Sequence, residues 1–541
     1  MKKSEGTIVK NSNPIIKADY PNPDVIRVGD VYYMLCATLH FLPGAVILRS
    51  YDLIHWEIAS YVFETFEGTE EARMTNERSN YGYGMWAGSI RYYKGRFYVS
   101  FAAKETCKTY FYSAESVEGP WESQCIDFYF HHGSLFFDDD DRVYLIFGHK
   151  EIFIREMLPD LSGLMPGGFA RKLLMEQEDV WLGYEGSHFY KIDGRYYLFV
   201  IRWPKTGMGR RVQLCFAGDR LDGEFQGRTV LDDDMGYFNN GIAQGGLVDT
   251  NDGRWFSVMM QDRLAAGRAP ILVPVEWQEG FPVFGNAGKA PLIAENVSNR
   301  PYYEYEPLYT SDDFAPVPED GSYRLKPQWQ WNHEPNPALW GIAEGGGLRI
   351  ETGKLCTNVT QAVNTLTQRM FFPKSSVEVT VDAAGLNEGD VAGLCALQGC
   401  YGLLAVTMEL KQYYLVVIER ENTEKNRNTT VADYMPGIVK EKIHLASPVV
   451  RLRMETDFEK GRDEAEFFYS EDLSDVKWRK AGQGHKLYFG MDHFSGCRCG
   501  LSIYSTKKIG GSALFRDFVV TVHRPTLSLG KMLNFKKIFC G

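Results

Sequence analysis

Gly29-Asp30-Val31-Tyr32-Tyr33 is the first of five copies of one short phrase, a Gly or Asp turn followed by a basic or small residue and an aromatic strand. The others are Gly95-Arg96-Phe97-Tyr98, Asp141-Arg142-Val143-Tyr144, Gly194-Arg195-Tyr196-Tyr197 and Gly253-Arg254-Trp255-Phe256. One supersecondary unit recurring at intervals of roughly 45 to 65 residues, with strand composition and turn punctuation, marks radial β repetition. The repeat predicts a five-bladed β-propeller over residues 1–305. A closed ring of small sheets leaves a central channel, so functional side chains are expected where blades converge.

The rest of the chain follows a different pattern. At 541 residues it is too long for one core. Aromatics make up 14% and Gly numbers 53, which suits many short strands joined by tight turns. Residues 306–326 are Pro-rich, acidic and aperiodic and read as a linker. Beyond them, alternating stretches such as Ser376-Val377-Glu378-Val379-Thr380-Val381, Tyr414-Leu415-Val416-Val417-Ile418 and Phe518-Val519-Val520-Thr521-Val522 predict an antiparallel β-sandwich over 327–525. A short basic tail, 526–541, closes the chain. The predicted class is therefore all-β, a propeller followed by a concanavalin-like sandwich.

Charge and cysteine usage narrow the function. A net charge of −11 with no concentrated basic patch argues against nucleic acid as a partner. No run of 18 apolar residues and no apolar leader appear, so a cytoplasmic protein without membrane attachment is expected. The ten Cys are scattered without zinc-type spacing, and free thiols are expected rather than metal ligands.

Two segments could carry chemistry. Glu185, in Tyr184-Glu185-Gly186-Ser187-His188-Phe189-Tyr190-Lys191, is an acid flanked by Gly among aromatics. Partial desolvation there would raise its pKa and make it a proton donor. The same residue also reads as a solvated turn Glu, and residue types alone leave both readings open. In Ala18-Asp19-Tyr20-Pro21-Asn22-Pro23-Asp24-Val25-Ile26-Arg27, two prolines fix an extended path. Side chains 22 and 24 then lie about 6 to 7 Å apart with similar outlook. On its own this reads as the rigid start of a strand.

At this point the chain resembles glycoside hydrolase family 43, which contains β-xylosidases and α-L-arabinofuranosidases. The resemblance rests on Asn13-Pro14-Ile15-Ile16-Lys17, Thr38-Leu39-His40-Phe41-Leu42-Pro43-Gly44, Trp86-Ala87-Gly88-Ser89-Ile90, Glu185-Gly186-Ser187-His188, Gln244-Gly245-Gly246-Leu247 and Gly267-Arg268. The second half is similar to the sandwich of β-xylosidase-like members through Gln328-Trp329-Gln330-Trp331-Asn332-His333 and Asn364-Thr365-Leu366-Thr367-Gln368-Arg369.

What the resemblance implies is inverting hydrolysis at a chain end, by an acid and a base roughly 6.5 to 9.5 Å apart. Glu185 matches the acid. The base position, an Asp between two prolines, is here Asn22, and a third Asp of the family is replaced by His132 in His131-His132-Gly133-Ser134-Leu135. An amide in place of a general base should cost about 10²- to 10⁴-fold in rate. Trp86, Phe41, Arg268, Gln244 and Asp24 form the expected sugar-binding set, and His188 and His40 the surrounding wall.

Asp24, His131 or His132 is the expected substitute base in one reading; in another the amide of Asn22 itself holds the water. Alternatives are a catalytically silent carbohydrate-binding propeller and a glycosidase for an unusual, activated substrate. Arg263 stands where relatives often carry a His tied to a central metal. No obligatory cofactor is expected, a structural calcium being the one ion considered. The loop Met491-Asp492-His493-Phe494-Ser495-Gly496 is the expected lid. The expected partner is an oligosaccharide or glycoside, with a homo-oligomer left open.

Overall fold

The computed structural model describes residues 7–75, 77–315, 324–421 and 435–523. Part of the linker, 316–323, and the tail 526–541 lie outside them. Five four-stranded antiparallel sheets form the first domain. Blade I comprises Asp24–Val28, Val31–Cys36, Gly44–Ser50 and Glu57–Phe63; blade II Met85–Tyr93, Arg96–Ala103, Lys108–Ala114 and Glu122–Ile126. Blade III runs through Ser134–Phe137, Val143–His149, Glu151–Met157 and Ala170–Met175, and blade IV through Val180–Ile192, Arg195–Pro204, Val212–Gly218 and Gln226–Leu231. Blade V contains Ala243–Asp249, Trp255–Asp262, Arg268–Gln278 and Phe281–Phe284.

The five sequence phrases are the five hairpins joining the first strand of each blade to the second. Gly29, Gly95, Gly194 and Gly253 have φ of 61°, 83°, 79° and 83°, and Asp141 takes the same region at 67°. A Cβ on any of those four glycines would meet nothing within 4 Å, so the left-handed backbone, not space, selects Gly. Lys94-Gly95 and Asp193-Gly194 place both central residues at positive φ, the primed turn that matches strand twist.

Strand alternation explains how blades stack. In blade I, Met34, Cys36, Val46 and Leu48 join a core with Val248, Phe256, Val258 and Leu272 of blade V. Their neighbours Leu35, Ala45 and Ile47 face the other way, into a core with Ile90, Val99 and Phe101 of blade II. Successive side chains leave a strand on opposite faces, so a blade packed on both sides must be apolar at consecutive positions. A two-stranded ribbon, Ile8–Ser12 with Ile293–Val297, brings the chain's first segment back to blade V. There Asn13 donates to the carbonyls of Leu272 and Pro291 and accepts from the Leu272 N–H.

The second domain is a sandwich of an eight-stranded and a seven-stranded antiparallel sheet. The three alternating stretches of the sequence fall in Lys374–Asp382, Gln412–Glu419 and Ser512–His523. The edge of the larger sheet is not made by the sandwich's own chain. Phe41–Leu42, in the loop between the second and third strands of blade I, pairs with Trp331 and Asn332 and becomes its eighth strand. No helix among the described residues is long and apolar enough to cross a membrane.

Candidate functional site

Side chains from all five blades and one sandwich loop meet at one end of the channel. Blade I supplies Asn22, just before its first strand. Its side-chain oxygen accepts from Arg268 Nη1 of blade V at 3.3 Å. Arg268 Nη2 donates to the Phe494 carbonyl at 3.0 Å, and the guanidinium lies 4.2 Å from the Phe494 ring centre. Phe494 in turn is 5.4 Å from Trp86 of blade II, and Trp86 is 5.9 and 6.2 Å from His132 and His131, which lead into blade III. His131 Nε2 lies 3.0 Å from Glu185 Oε2 of blade IV, closing the arc. The loop of Phe494, singled out in the sequence as a lid, thus lies against Trp86 and Arg268.

Local backbone explains why these side chains turn toward the channel. Asn22, His132 and Gln244 have φ of 54°, 47° and 65°, and Gly186, next to Glu185, has 68°. Such left-handed residues are uncommon for side-chain-bearing positions, and here Asn22, His132 and Gln244 supply one in each of three blades, with Gly186 in a fourth. Strand pairing also slips between Met85 and Gly88, around Glu185, and between Ala243 and Gly245. Bulges re-aim side chains at the rim of a closed sheet. Gly186 leaves no slack, since a Cβ there would lie 3.0 Å from Gln244 Cδ.

Glu185 has an unusual set of neighbours. His149 Nδ1 approaches the same Oε2 at 3.1 Å, and the carboxylate is 14% exposed. Burial pushes this carboxyl up, but His132, with the hydrogen bonds from His131 and His149, outweighs burial and holds it well below the usual carboxylate range. His132 is itself pushed down to about 3 by burial, with His131 adding to the effect, and is neutral at pH 7. Burial lowers the Arg268 guanidinium from its ordinary value.

Other candidates take different places. Asp24 is wholly buried: His188 Nδ1 lies 3.1 Å from Oδ1, while Oδ2 accepts from the Ile90 N–H at 2.8 Å and Arg91 Nη1 at 2.7 Å. Burial raises this carboxyl, but Arg91 and His188 prevail and bring it to about 2. Asp24 therefore ties blades I, II and IV together, with both oxygens engaged and neither exposed. That departs from its expected part in sugar binding or as base, because the carboxylate is wholly buried and paired with Arg91 and His188. Phe41, 1% exposed, lies beneath Arg498 at 3.5 Å within the seam between domains, so the added strand carries it away from the channel. His40 belongs to the same seam, with ring centres 4.9 Å from His333 and 5.1 Å from His493. Gln244 is buried beside Gly186, and Arg263 packs over Tyr237 at 4.2 Å.

Two residues escaped the sequence reading. His149 ends a strand of blade III, and its only signal was a His following Gly148. Asp19 accepts the Arg268 N–H at 2.7 Å through Oδ1 and the Gly496 N–H at 2.9 Å through Oδ2, clamping blade V to the sandwich loop. Its own carbonyl accepts from Arg369 Nε at 2.7 Å.

Residues 11–282 match the profile of glycosyl hydrolases family 43. The chain belongs to glycoside hydrolase family 43. Residues 318–521 match the β-xylosidase C-terminal concanavalin A-like domain. Among curated relatives of this family 43 chain, a β-xylosidase of Formosa agariphila is 27% identical, with 75% of each chain covered. A non-reducing end α-L-arabinofuranosidase of Bacteroides ovatus is 23% identical, with 76% of each covered. Among solved structures, a bifunctional GH43-CE protein of Bacteroides eggerthii superposes with a TM-score of 0.87 at 37% identity. That match takes in 96% of this chain and 64% of that one, so this chain spans about two thirds of its length. Membership of family 43 relates the chain to β-xylosidases and arabinofuranosidases.

Proposed function

We propose that this family 43 protein removes a terminal pentosyl residue from a xylose- or arabinose-bearing glycoside, with Glu185 delivering the proton to the leaving oxygen. The observation that supports this reading is the position of Glu185 Oε2, 3.0 Å from His131 Nε2 and 3.1 Å from His149 Nδ1 of the neighbouring blade, with Trp86 packed between His131 and Phe494 of the sandwich loop. Trp86 and Phe494 offer apolar surfaces suited to the C–H face of a sugar, and Arg268 offers donors for its hydroxyls. The sandwich loop lies against Trp86 and Arg268, which supports attack at a chain end.

In the free site the hydrogen bonds from His131 and His149 keep Glu185 ionised. A sugar seated there takes the place of His149 or His131 at Oε2 and excludes water. Burial, the largest single influence on this carboxyl, then prevails and raises it toward a proton donor. Opposite the acid, Asn22 holds a water through its amide oxygen, with Arg268 fixing that amide's orientation. One observation favours a second reading, sugar binding without turnover: Asn22 is an amide and the neighbouring Asp24 is fully committed to Arg91, His188 and Ile90.

Hydrolysis of aryl β-xylosides, aryl α-L-arabinofuranosides and xylo-oligosaccharides separates the two. The unaltered chain should release sugar, Glu185→Gln should abolish release from the oligosaccharides, and Asn22→Asp should raise the rate by about 10²- to 10⁴-fold. Release untouched by Glu185→Gln would overturn the assignment of the acid. Silence from the unaltered chain with activity only in Asn22→Asp would establish the binding role.

A further inference from the structure

The concentration of imidazole around Glu185 exceeds what proton donation requires. Each of His131, His132 and Glu185 offers one ligand atom, and these three atoms lie within 4.8 Å of one another. His149 Nδ1 reaches Glu185 Oε2 at 3.1 Å from a separate strand. His132 Nδ1 is buried and has no hydrogen-bond partner among the described residues. The structure thus leaves a nitrogen donor uncommitted within a cluster of three imidazoles and one carboxylate.

We infer that His131, His132 and Glu185 form a binding site for a divalent transition-metal ion of the imidazole-preferring kind, such as Zn²⁺, the fourth position being taken by a water or, after a side-chain shift, by His149, which reaches Glu185 but stands outside the group of three. Zinc takes four such ligands at about 2.0–2.2 Å in a tetrahedron, which puts neighbouring donor atoms about 3.4 Å apart. The separations of 3.0 and 3.1 Å at Glu185 Oε2 are close to that spacing and widen slightly on entry of the ion. Soft-to-borderline nitrogen donors favour Zn²⁺, Cu²⁺ or Ni²⁺ over calcium, which requires more oxygen ligands.

The donors are also held for the task. Tyr129 Oη lies 3.1 Å from His131 Nδ1, fixing the ring and leaving Nε2 for the site. Such outer partners orient metal-binding imidazoles. The Gly148 N–H donates to the His131 carbonyl at 3.0 Å and the Lys150 N–H to the Tyr184 carbonyl at 2.8 Å. Backbone bonds therefore lace the three ligand-bearing segments together on either side of His149. His131 and His132 lie ring on ring, centres 4.0 Å apart and planes 17° apart, so one of them rotates to complete the shell.

Metal binding here stands whether or not the chain hydrolyses glycosides. Resting on the proposed function is one further consequence: an ion on Glu185 removes the proton donor, so occupancy and turnover exclude each other.

The test uses the full chain freed of metal by chelator, then titrated with ZnCl₂ by calorimetry and by dialysis with elemental analysis. One Zn²⁺ per chain with micromolar or tighter affinity is expected, weakened at least tenfold in His131→Gln and in Glu185→Gln. Uptake below stoichiometric, or unchanged in both variants, overturns the site. Co²⁺ substitution of the unaltered chain needs no variant: intense tetrahedral visible bands support the site, and a weak octahedral aquo-ion spectrum overturns it. If Zn²⁺ binds and sugar release is unaffected, the metal site stands and the role of Glu185 as proton donor falls.

Discussion

Removing the carboxylate of Asp19 should loosen the 491–496 loop from blade V. Asp19 accepts two backbone N–H bonds, from Arg268 and Gly496, that no other residue is placed to take over. The surroundings allow no rearrangement: a Cβ on Gly267 would lie 2.4 Å from Asp19 Oδ1, and one on Gly496 would lie 2.5 Å from the Ala266 carbonyl. A hydrogen bond to a charged group contributes about 1.5–3 kcal/mol, so Asp19→Ala, leaving both buried donors without an acceptor, destabilises by about 3–6 kcal/mol. In domains of this size each kcal/mol moves Tm by about 2–4 °C, giving a fall of roughly 6 to 24 °C. Asp19→Asn keeps the shape but turns an NH₂ toward one of the donors, so it retains one bond at most and should fall between the two. Differential scanning calorimetry with limited proteolysis reads the outcome, and first cleavage should fall in the 491–496 loop. A Tm change below 2 °C in Asp19→Ala, or full stability in Asp19→Asn, would refute the clamp.

Further expectations follow from other sites. Gly186→Ala places a side chain at φ 68° and 3.0 Å from Gln244, so Glu185 shifts; catalytic efficiency should fall by about 10²-fold, the scale of a 1 Å misplacement. Asp24→Ala strands Arg91 as an uncompensated buried charge and should destabilise by about 3–5 kcal/mol in urea unfolding. Acid should loosen the domain seam. Burial holds His40 and His333 well below their ordinary value and His493 at about 3, so the unfolded chain binds protons that the folded one refuses. Stability is then complete above about pH 6.5 and drops by about 1.4 kcal/mol per histidine for each unit below it. A urea midpoint unchanged between pH 7 and pH 5 would contradict this, and His333→Gln should make the dependence shallower.

Local turn chemistry made the propeller legible. Each of the five phrases needs a left-handed residue between two aromatic strands, and the requirement shows in sequence because Gly or Asp must fill it. Glu185, Asn22 and His132 could be singled out because each stands in a short motif, and contacts through His131, Trp86, Phe494 and Arg268 link them in the structure. The parts that were hidden depend on partners hundreds of residues away. Nothing near Asp24 announces Arg91 and His188, so an acid two residues from Asn22 reads as a spare base until its oxygens are seen to be filled. Asp19 reads as a loop acid because its two donors come from residues 268 and 496. Phe41 carries a family motif and an aromatic ring, yet the strand it joins belongs to the other domain.

That shared strand bears on how such a protein can change over generations. Because Phe41–Leu42 completes the large sandwich sheet, splitting the gene at the linker would leave Gln330–Asn332 as a bare edge with unpaired backbone groups. Bare edges recruit other chains, so a liberated sandwich would tend to self-associate. The propeller half would in turn carry a two-residue apolar finger, Phe41 and Leu42, with no sheet to receive it. Shuffling either half onto a new neighbour therefore requires a matching edge or finger.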